Sequence, residues 1–314
     1  MRRLLISSAA VLALCAAAPA AMAQTAAPVA ASPQAQSEDA RLDAFFEQAY
    51  QARIALSPQQ MTALGLKTDY DKLDDVSDAA AERALALQEA QLAQMKAEFD
   101  PSKLSPQSRL SWRLFEYGVQ QARLSNQWRD WNFQFAANGN PTTSLPVFLI
   151  NNHRISSVPD AEAYVSRIIE AERYMGQVAT TLKARAAEGV VSPRFVFEPS
   201  IENTRAVITG APFDNGADNP VWADFQKKVG ALDADQATKD RLLASARAAL
   251  TGPYKRGFDT VLTALAEVQP MAARRPPAAL DHDRPDRRSD PPDRPGRGGP
   301  HPARDGGHQG EGRL

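Results

Sequence analysis

Histidine and acidic side chains are the groups in this chain that metal-dependent hydrolysis would need. A catalytic zinc ion takes about three protein ligands, and two imidazoles one helical turn apart with a carboxylate that activates water form a common arrangement. The chain has four histidines, and none of them is followed by a glutamate. A histidine alone in a polar stretch is typical of a capping or surface residue, and His153 stands in the tetrapeptide NNHR. The other three are His282, His301 and His308.

Other catalytic motifs are also missing from the sequence. There is no Gly-x-Ser-x-Gly, no glycine-rich phosphate loop before Lys-Ser/Thr, and a single cysteine, Cys15. The acidic pairs Asp74-Asp75 and Glu170/Glu172 have the pattern of solvated helix ends and faces. We therefore assign no catalytic, cofactor-binding or metal-binding residue in this chain.

Four aromatic residues stand close together after residue 127. They are Trp128, Trp131, Phe133 and Phe135. One interpretation is a platform on which a ligand stacks, and the other is a set of core aromatics at helical spacing. The sequence favours the core interpretation.

The strongest structural signal is a long amphipathic helix over residues 159–189. Pro159 fits the first helical turn, Asp160 places negative charge at the helix N-terminus, and Gly189 can end the helix in the left-handed conformation. Apolar residues recur every three or four positions and predict one buried stripe. They are Ala161, Tyr164, Val165, Ile168, Ile169, Met175, Val178 and Leu182.

Residues 39–270 are predicted to form an all-α domain, an antiparallel multi-helix array around one core. Capping residues and Ser-Pro pairs mark the helix starts. Predicted helices begin at Asp39, Ser57-Pro58 (ending near Gly65), Ser77 (to about Phe99), Ser105-Pro106 (to about Trp131), Glu198, Val221 and Asp233, the last kinked at Gly252-Pro253. Between them we predict loops over 136–146 and 210–220, and an extended connection rather than a strand over 190–199.

Residues 1–23 have the pattern of a secretory signal peptide. Arg2 and Arg3 precede an apolar run, and small residues around position 23 predict cleavage after Ala23. Leu14, before Cys15, is not small, which argues against lipidation. The sequence therefore predicts a periplasmic or secreted protein that has no membrane anchor and no disulfide after cleavage. Residues 24–38 are predicted to be a flexible leader.

The charge and the C-terminal composition limit the possible partners. The formal net charge of −1 gives no reason to expect nucleic acid as a partner. Residues 271–314 hold nine arginines, eight prolines and seven glycines, and should be disordered. One interpretation is a tail that binds metal or polyanions. The favoured one is a shifted reading frame, because dropping one nucleotide from a back-translation after residue 280 permits the helix-like text TTTDLTADQIHRIGLAEV.

Residues 39–270 resemble the N-terminal half of the bacterial family "domain of unknown function 885", whose members are secreted, helical and similar to zinc metallopeptidases. The stretches that carry the resemblance are SPQQMTALGL at 57–66, SRLSWRLFEYGV at 108–119, DAEAYVSRI at 160–168 and GQVATTLKARAAEGVVSPRF at 176–195. The shifted text also resembles the next segment of sequences in that family. Relatives carry a His-Glu-x-x-Pro-Gly-His type zinc motif in their C-terminal half, so the resemblance implies zinc and a peptide substrate for full-length relatives.

The resemblance implies that this chain is a truncated exported protein that lacks the catalytic half and is inactive alone. The alternative is a self-sufficient periplasmic helical module for binding or scaffolding, with the aromatics at 112–135 contacting a ligand or partner. A half-protein should expose an apolar face larger than the few hundred Å² usual for a monomer. No oligomeric state follows from the sequence.

Overall fold

The computed structural model describes residues 37–136 and 139–272, and within these ranges it is all-α, with two isolated bridges and no strand. The helices are α1 (Glu38–Ile54), α2 (Pro58–Ala63), α3 (Asp78–Glu98), α4 (Pro106–Gln127), α5 (Pro141–Asn152), α6 (Val158–Ala187), α7 (Arg194–Val207), α8 (Pro220–Gly230), α9 (Gln236–Ala249) and α10 (Lys255–Ala272). The signal peptide, nearly all of the leader, and residues 273–314 of the tail lie outside the described residues. Predictions about them stay predictions.

Serine side chains begin several helices as predicted. Ser57, Ser77 and Ser105 each accept a hydrogen bond from the amide three residues ahead, which satisfies one of the free N–H groups of the first turn. Two predicted caps are each wrong by two residues. Ser37 rather than Asp39 caps α1, and Asp235 rather than Asp233 caps α9.

The predicted loop over 136–146 is wrong in its second half. Asn140 caps α5 by accepting hydrogen bonds from the amides of Thr142 and Thr143, and Pro141 occupies the first helical position, where a missing N–H costs nothing. Pro146 lies inside the helix. The residues that predicted a break therefore form a helix start.

The predicted extended connection over 190–199 is shorter than expected. Helix α7 begins at Arg194, directly after Pro193, and Pro199 lies within it. The helix predicted from Glu198 therefore starts four residues earlier. The predicted kink at Gly252-Pro253 is confirmed, since a π-helical turn with non-helical torsions at Gly252 joins α9 to α10.

Helix α6 forms the centre of the large core, as the apolar stripe predicted. Tyr164, Ile168 and Met175 are fully buried, whereas Ile169 is exposed, contrary to its assignment to the stripe. Helix α10 crosses α6 closely at Gly257, where a Cβ atom would lie 2.8 Å from the carbonyl oxygen of Ala171. Helices α5 and α7–α9 complete this core.

A second, smaller core joins α1, α3 and α4, so the prediction of one core is wrong. Its buried residues are Leu42, Phe45, Ala49, Leu92, Met95, Phe99, Leu104 and Val119. The segment between α1 and α3 leaves this bundle, and its residues Leu73 and Val76 belong to the large core. Residues 55–77 thus connect the two cores.

Candidate functional site

The outward side of α4 carries a row of large apolar side chains, which we call the α4 face. It consists of Leu110, Leu114, Tyr117, Gln121, Leu124, Trp128 and Trp131. Its apolar members are exposed by between 42% (Leu110) and 65% (Trp131). No segment among the described residues covers them. A row this long is unusual for the surface of a monomer and is the pattern of an interaction surface.

The opposite side of α4 explains why this row faces outward. Trp112, Phe115 and Val119 pack against the small core. Charged residues of α4 are engaged with α3, since Glu116 pairs with Lys96, and Arg123 donates to Glu89 over 2.7 Å. Helix α4 therefore has two apolar stripes, and α1 and α3 take up only one.

The interpretation of the four aromatics as core residues is wrong for three of them. Phe135 is buried, but Trp128, Trp131 and Phe133 are each at least half exposed. Helix α4 ends at Gln127 and a 3₁₀ turn covers Arg129–Trp131. The α4 sequence has two apolar stripes, one at 110/114/117/124 and one at 112/115/119. This was the available signal, because a surface helix normally buries only one stripe.

A recess of about 610 Å³ lies beside the small core, between α1 and α3. Tyr50 and Arg53 line it from α1, and both also line a shallower recess that reaches Leu114 of the α4 face. Arg83 forms an ion pair with Asp75 over 2.6 Å at its rim. Hydrogen bonds from Ser77 hold the pKa of Asp75 at about 2, so this carboxylate stays ionised. The recess can hold a ligand. The hydroxyl of Ser57 in its lining donates to the Asp74 carboxylate over 2.8 Å, and the same residue caps α2, so this contact serves the helix start.

His153 lies at the C-terminal end of α5 and is fully buried, so it is a capping position but not a surface residue. Arg167 of α6, also fully buried, places its Nη1 atom 2.9 Å from Nδ1 of His153. The same guanidinium donates to the hydroxyl of Thr62 (2.6 Å) and to the carbonyl of Lys72 (2.9 Å). Arg167 of α6 thus forms hydrogen bonds both to the 55–77 segment and to the C-terminal end of α5. No sequence pattern marked it, because arginine is a surface residue by default.

The protonation state of His153 follows from these contacts. A guanidinium can only donate, so Nδ1 accepts, and Nε2 donates to the carbonyl oxygen of Asp160 over 2.9 Å. Burial, supported by the nearby charges of Arg167 and Lys228, lowers the pKa of His153 to about 3. Both ring nitrogens are therefore engaged in a neutral ring.

Asp160 completes the cluster from the first turn of α6. Burial opposes its ionisation, but both its oxygens accept from Nζ of Lys67 at 2.8 Å and one accepts from Ser156, so its pKa is lowered. The cluster is held by hydrogen bonds within the protein. We interpret it as the attachment between the two cores.

Residues 37–136 and 139–272 contain no group of three or more His, Cys, Asp or Glu side chains that could hold a metal ion. The zinc ion implied by the resemblance does not fit the residues present, because the one histidine in these ranges has both nitrogens engaged. In the same ranges no helix is long and apolar enough to cross a bilayer.

Comparison with known proteins identifies a family and solved structures of similar fold. The family model described as "Bacterial protein of unknown function (DUF885)" matches residues 58–297, a range that extends past the described residues. A crystal structure described as "the putative lipoprotein from Colwellia psychrerythraea" superposes with a TM-score of 0.58 at 14% identity, which shows a similar fold. The match covers 75% of this chain but only 42% of that one. A comparison with curated proteins found no match.

Proposed function

Because the chain belongs to the bacterial DUF885 family, we propose that it is the N-terminal helical half of an exported, zinc-peptidase-like protein whose catalytic residues lie in a second half. The observation that carries this proposal is the unequal coverage, since three quarters of this chain corresponds to less than half of a solved structure of similar fold. Our chain supplies a helical wall of the substrate cleft, and the missing half supplies the zinc site.

The α4 face supports the same proposal. A domain that is complete in itself buries its long apolar stripes, whereas a half-domain leaves exposed the stripe that its partner would cover. Alone, the chain is expected to have no peptidase activity.

The test of this proposal compares two proteins. Sequencing the gene beyond residue 270 in all three frames shows whether a second half is encoded, and a gene with the frame restored yields the longer protein. Hydrolysis of a peptide mixture is then measured for both, with and without a chelator. Chelator-sensitive hydrolysis by the longer protein alone is expected. Equal hydrolysis by the short chain, or no hydrolysis by the longer one, would overturn the proposal.

Export is a separate part of the proposal and has its own test. Cleavage after Ala23 gives a mature chain that starts at Gln24, which intact-mass spectrometry of the exported protein measures directly. A mature protein that retains Met1 contradicts both the cleavage site and the periplasmic or secreted location.

A second candidate function is a self-sufficient binding module. The recess between α1 and α3, with Tyr50 and Arg53 in its lining, favours it. Titration of the short chain with peptides distinguishes the two candidate functions. A self-sufficient module binds a peptide equally well with or without the second half, whereas the N-terminal half of a peptidase binds it more tightly when the second half is added. Arg53→Ala should weaken binding in either case if this recess is the site.

A further inference from the structure

We infer that two copies of the 314-residue chain pair through the α4 face, antiparallel and about a two-fold axis. This inference goes beyond the proposed function, because it concerns the short chain by itself. It rests on the spacing, symmetry and flanks of the α4 face. The occupant we assign to that face is a second α4.

The spacing of the α4 face is that of a coiled-coil seam. From Leu110 to Trp128 its members follow one another in steps of four and three residues, which is the 3.5-residue repeat of a heptad, and these six positions form the seam. From Leu110 to Trp128 the seam is about 27 Å long at 1.5 Å per residue. Six successive seam positions give two helices six layers in which their side chains can interlock.

The six seam positions are also symmetric about position 119. Leu110 and Trp128, Leu114 and Leu124, and Tyr117 and Gln121 are each equally far from it. An antiparallel pair with its axis there places every seam residue against a seam residue of the second copy. The one polar member, Gln121, then meets the hydroxyl-bearing ring of Tyr117, so its amide has a hydrogen-bonding partner. A two-fold interface must be self-complementary in this way.

The flanks of the seam permit close approach. Ser111, Gly118 and Ser125 follow one edge at seven-residue spacing, and Gly118, next to the axis, has open space where a Cβ atom would be. The other edge carries Arg113, Gln120 and Gln127. In the antiparallel pair Arg113 lies near Gln127 of the second copy, so the two Arg113 side chains stay apart.

The chain's own remaining segments are poor candidates to cover this face. Residues 273–314 contain two large apolar side chains, Leu280 and Leu314, and residues 24–36 contain only Val29 as a branched apolar residue. Neither provides an apolar stripe that matches a seam of six positions. A second copy of the chain provides an identical apolar stripe of the same length.

Sedimentation equilibrium of the purified chain tests the association. A reversible dimer is expected, and Leu114→Glu with Leu124→Glu should raise its dissociation constant about a hundredfold or more, because charges would be buried at the centre of the seam. Val147→Glu is the control, since Val147 is 54% exposed on α5 and the recess that it lines contains no residue of α4. Circular dichroism checks that each variant keeps its helix content. A chain that stays monomeric, or a dimer that the control weakens equally, overturns the inference.

Cross-linking with a short thiol-specific reagent tests the orientation without relying on disruptive variants. The described residues contain no cysteine, and Cys15 is replaced by Ala. Gly118→Cys should cross-link to its own counterpart at the axis. Ser111→Cys should not, since it faces Ser125, but Ser111→Cys with Ser125→Cys should. Absence of cross-linking both in Gly118→Cys and in the Ser111→Cys, Ser125→Cys double variant would overturn the antiparallel assignment.

The test of the dimer and the test of the proposed function give separate results. Dimerisation is measured on the short chain, and peptidase activity is measured on the restored one. A dimer of the short chain that the separately added second half dissociates would show that both occupy the α4 face. A higher oligomer insensitive to the α4 variants contradicts the inference and leaves the activity test unaffected.

Discussion

The guanidinium of Arg167 donates to Nδ1 of His153 over 2.9 Å, so a buried cation rests against a neutral imidazole with no carboxylate hydrogen-bonded to it. Its other donors reach carbonyl or hydroxyl oxygens of residues 58–72, and its plane lies 4.9 Å from the ring centroid of Tyr70. This single side chain therefore holds the segment that joins the two cores.

Arg167→Met should destabilise the fold by about 2–4 kcal/mol, because His153 and the Lys72 carbonyl would lose a donor while buried. Thermal or urea unfolding measures the loss. Arg241→Met is the control, since Arg241 forms an exposed pair with Glu162 worth at most about 1 kcal/mol. Equal losses for the two variants would show that the buried contacts of Arg167 contribute nothing.

His153 should make stability fall with acid well before the carboxylates titrate. Its pKa is about 3 when folded and about 6.5 when unfolded, so the unfolded chain binds the proton more tightly between these values. The contribution is complete above pH 6.5 and falls with decreasing pH, by about 2 kcal/mol at pH 5. In His153→Gln the amide oxygen can still accept from Arg167, and this part of the pH dependence should vanish. An unchanged slope between pH 7 and 5 contradicts the assignment.

Gly257→Ala and Gly176→Ala should change stability in opposite directions. A Cβ atom at position 257 would lie 2.8 Å from the Ala171 carbonyl oxygen and 2.9 Å from Cα of Glu172, and these backbone atoms cannot move without separating α6 from α10. The expected loss is about 1–3 kcal/mol. At Gly176, which lies in α6, no such atom lies within 4 Å of the position that a Cβ atom would take, so alanine should add about 0.5–1 kcal/mol through its better helix propensity. If the melting temperatures of the two variants change in the same direction, the close crossing of α6 and α10 is refuted.

Tyr254→Phe should leave stability unchanged or raise it by about 1 kcal/mol, because the fully buried hydroxyl has no hydrogen-bond partner among the described residues. Tyr164→Phe is the matched variant. The Tyr164 hydroxyl donates to Asp224 over 3.1 Å, so its removal should cost about 1–2 kcal/mol. Urea midpoints measure both, and a clear loss for Tyr254→Phe would reveal a partner such as an internal water molecule.

The local parts of the fold could be predicted from the sequence, and the parts that depend on distant contacts could not. Ser57, Ser77 and Ser105 begin helices through hydrogen bonds to amides three residues away, which a local pattern captures. Gly189 takes the predicted left-handed conformation for the same reason. By contrast, Asn140-Pro141 was mistaken for a loop because a helix start and a turn use the same residue types.

The candidate site depended on information that no local pattern holds. Both stripes of α4 have helical periodicity, and only the position of α1 and α3 decides which one is buried. Arg167 gave no signal, since its partners come from residues about 100 positions earlier in the chain. The fold class was predictable because it sums many local preferences, whereas the site depends on single long-range contacts.

The position of α6 in the chain has a consequence for biosynthesis. Its buried side chains, including Tyr164 and Met175, depend on α10, which begins only at Lys255. A ribosome adds about 5–20 residues per second, so roughly 70 residues of delay leave this stripe uncovered for several seconds. Newly made chains should therefore need protection by a chaperone during that interval, even though Tyr164 and Met175 are fully buried in the finished fold.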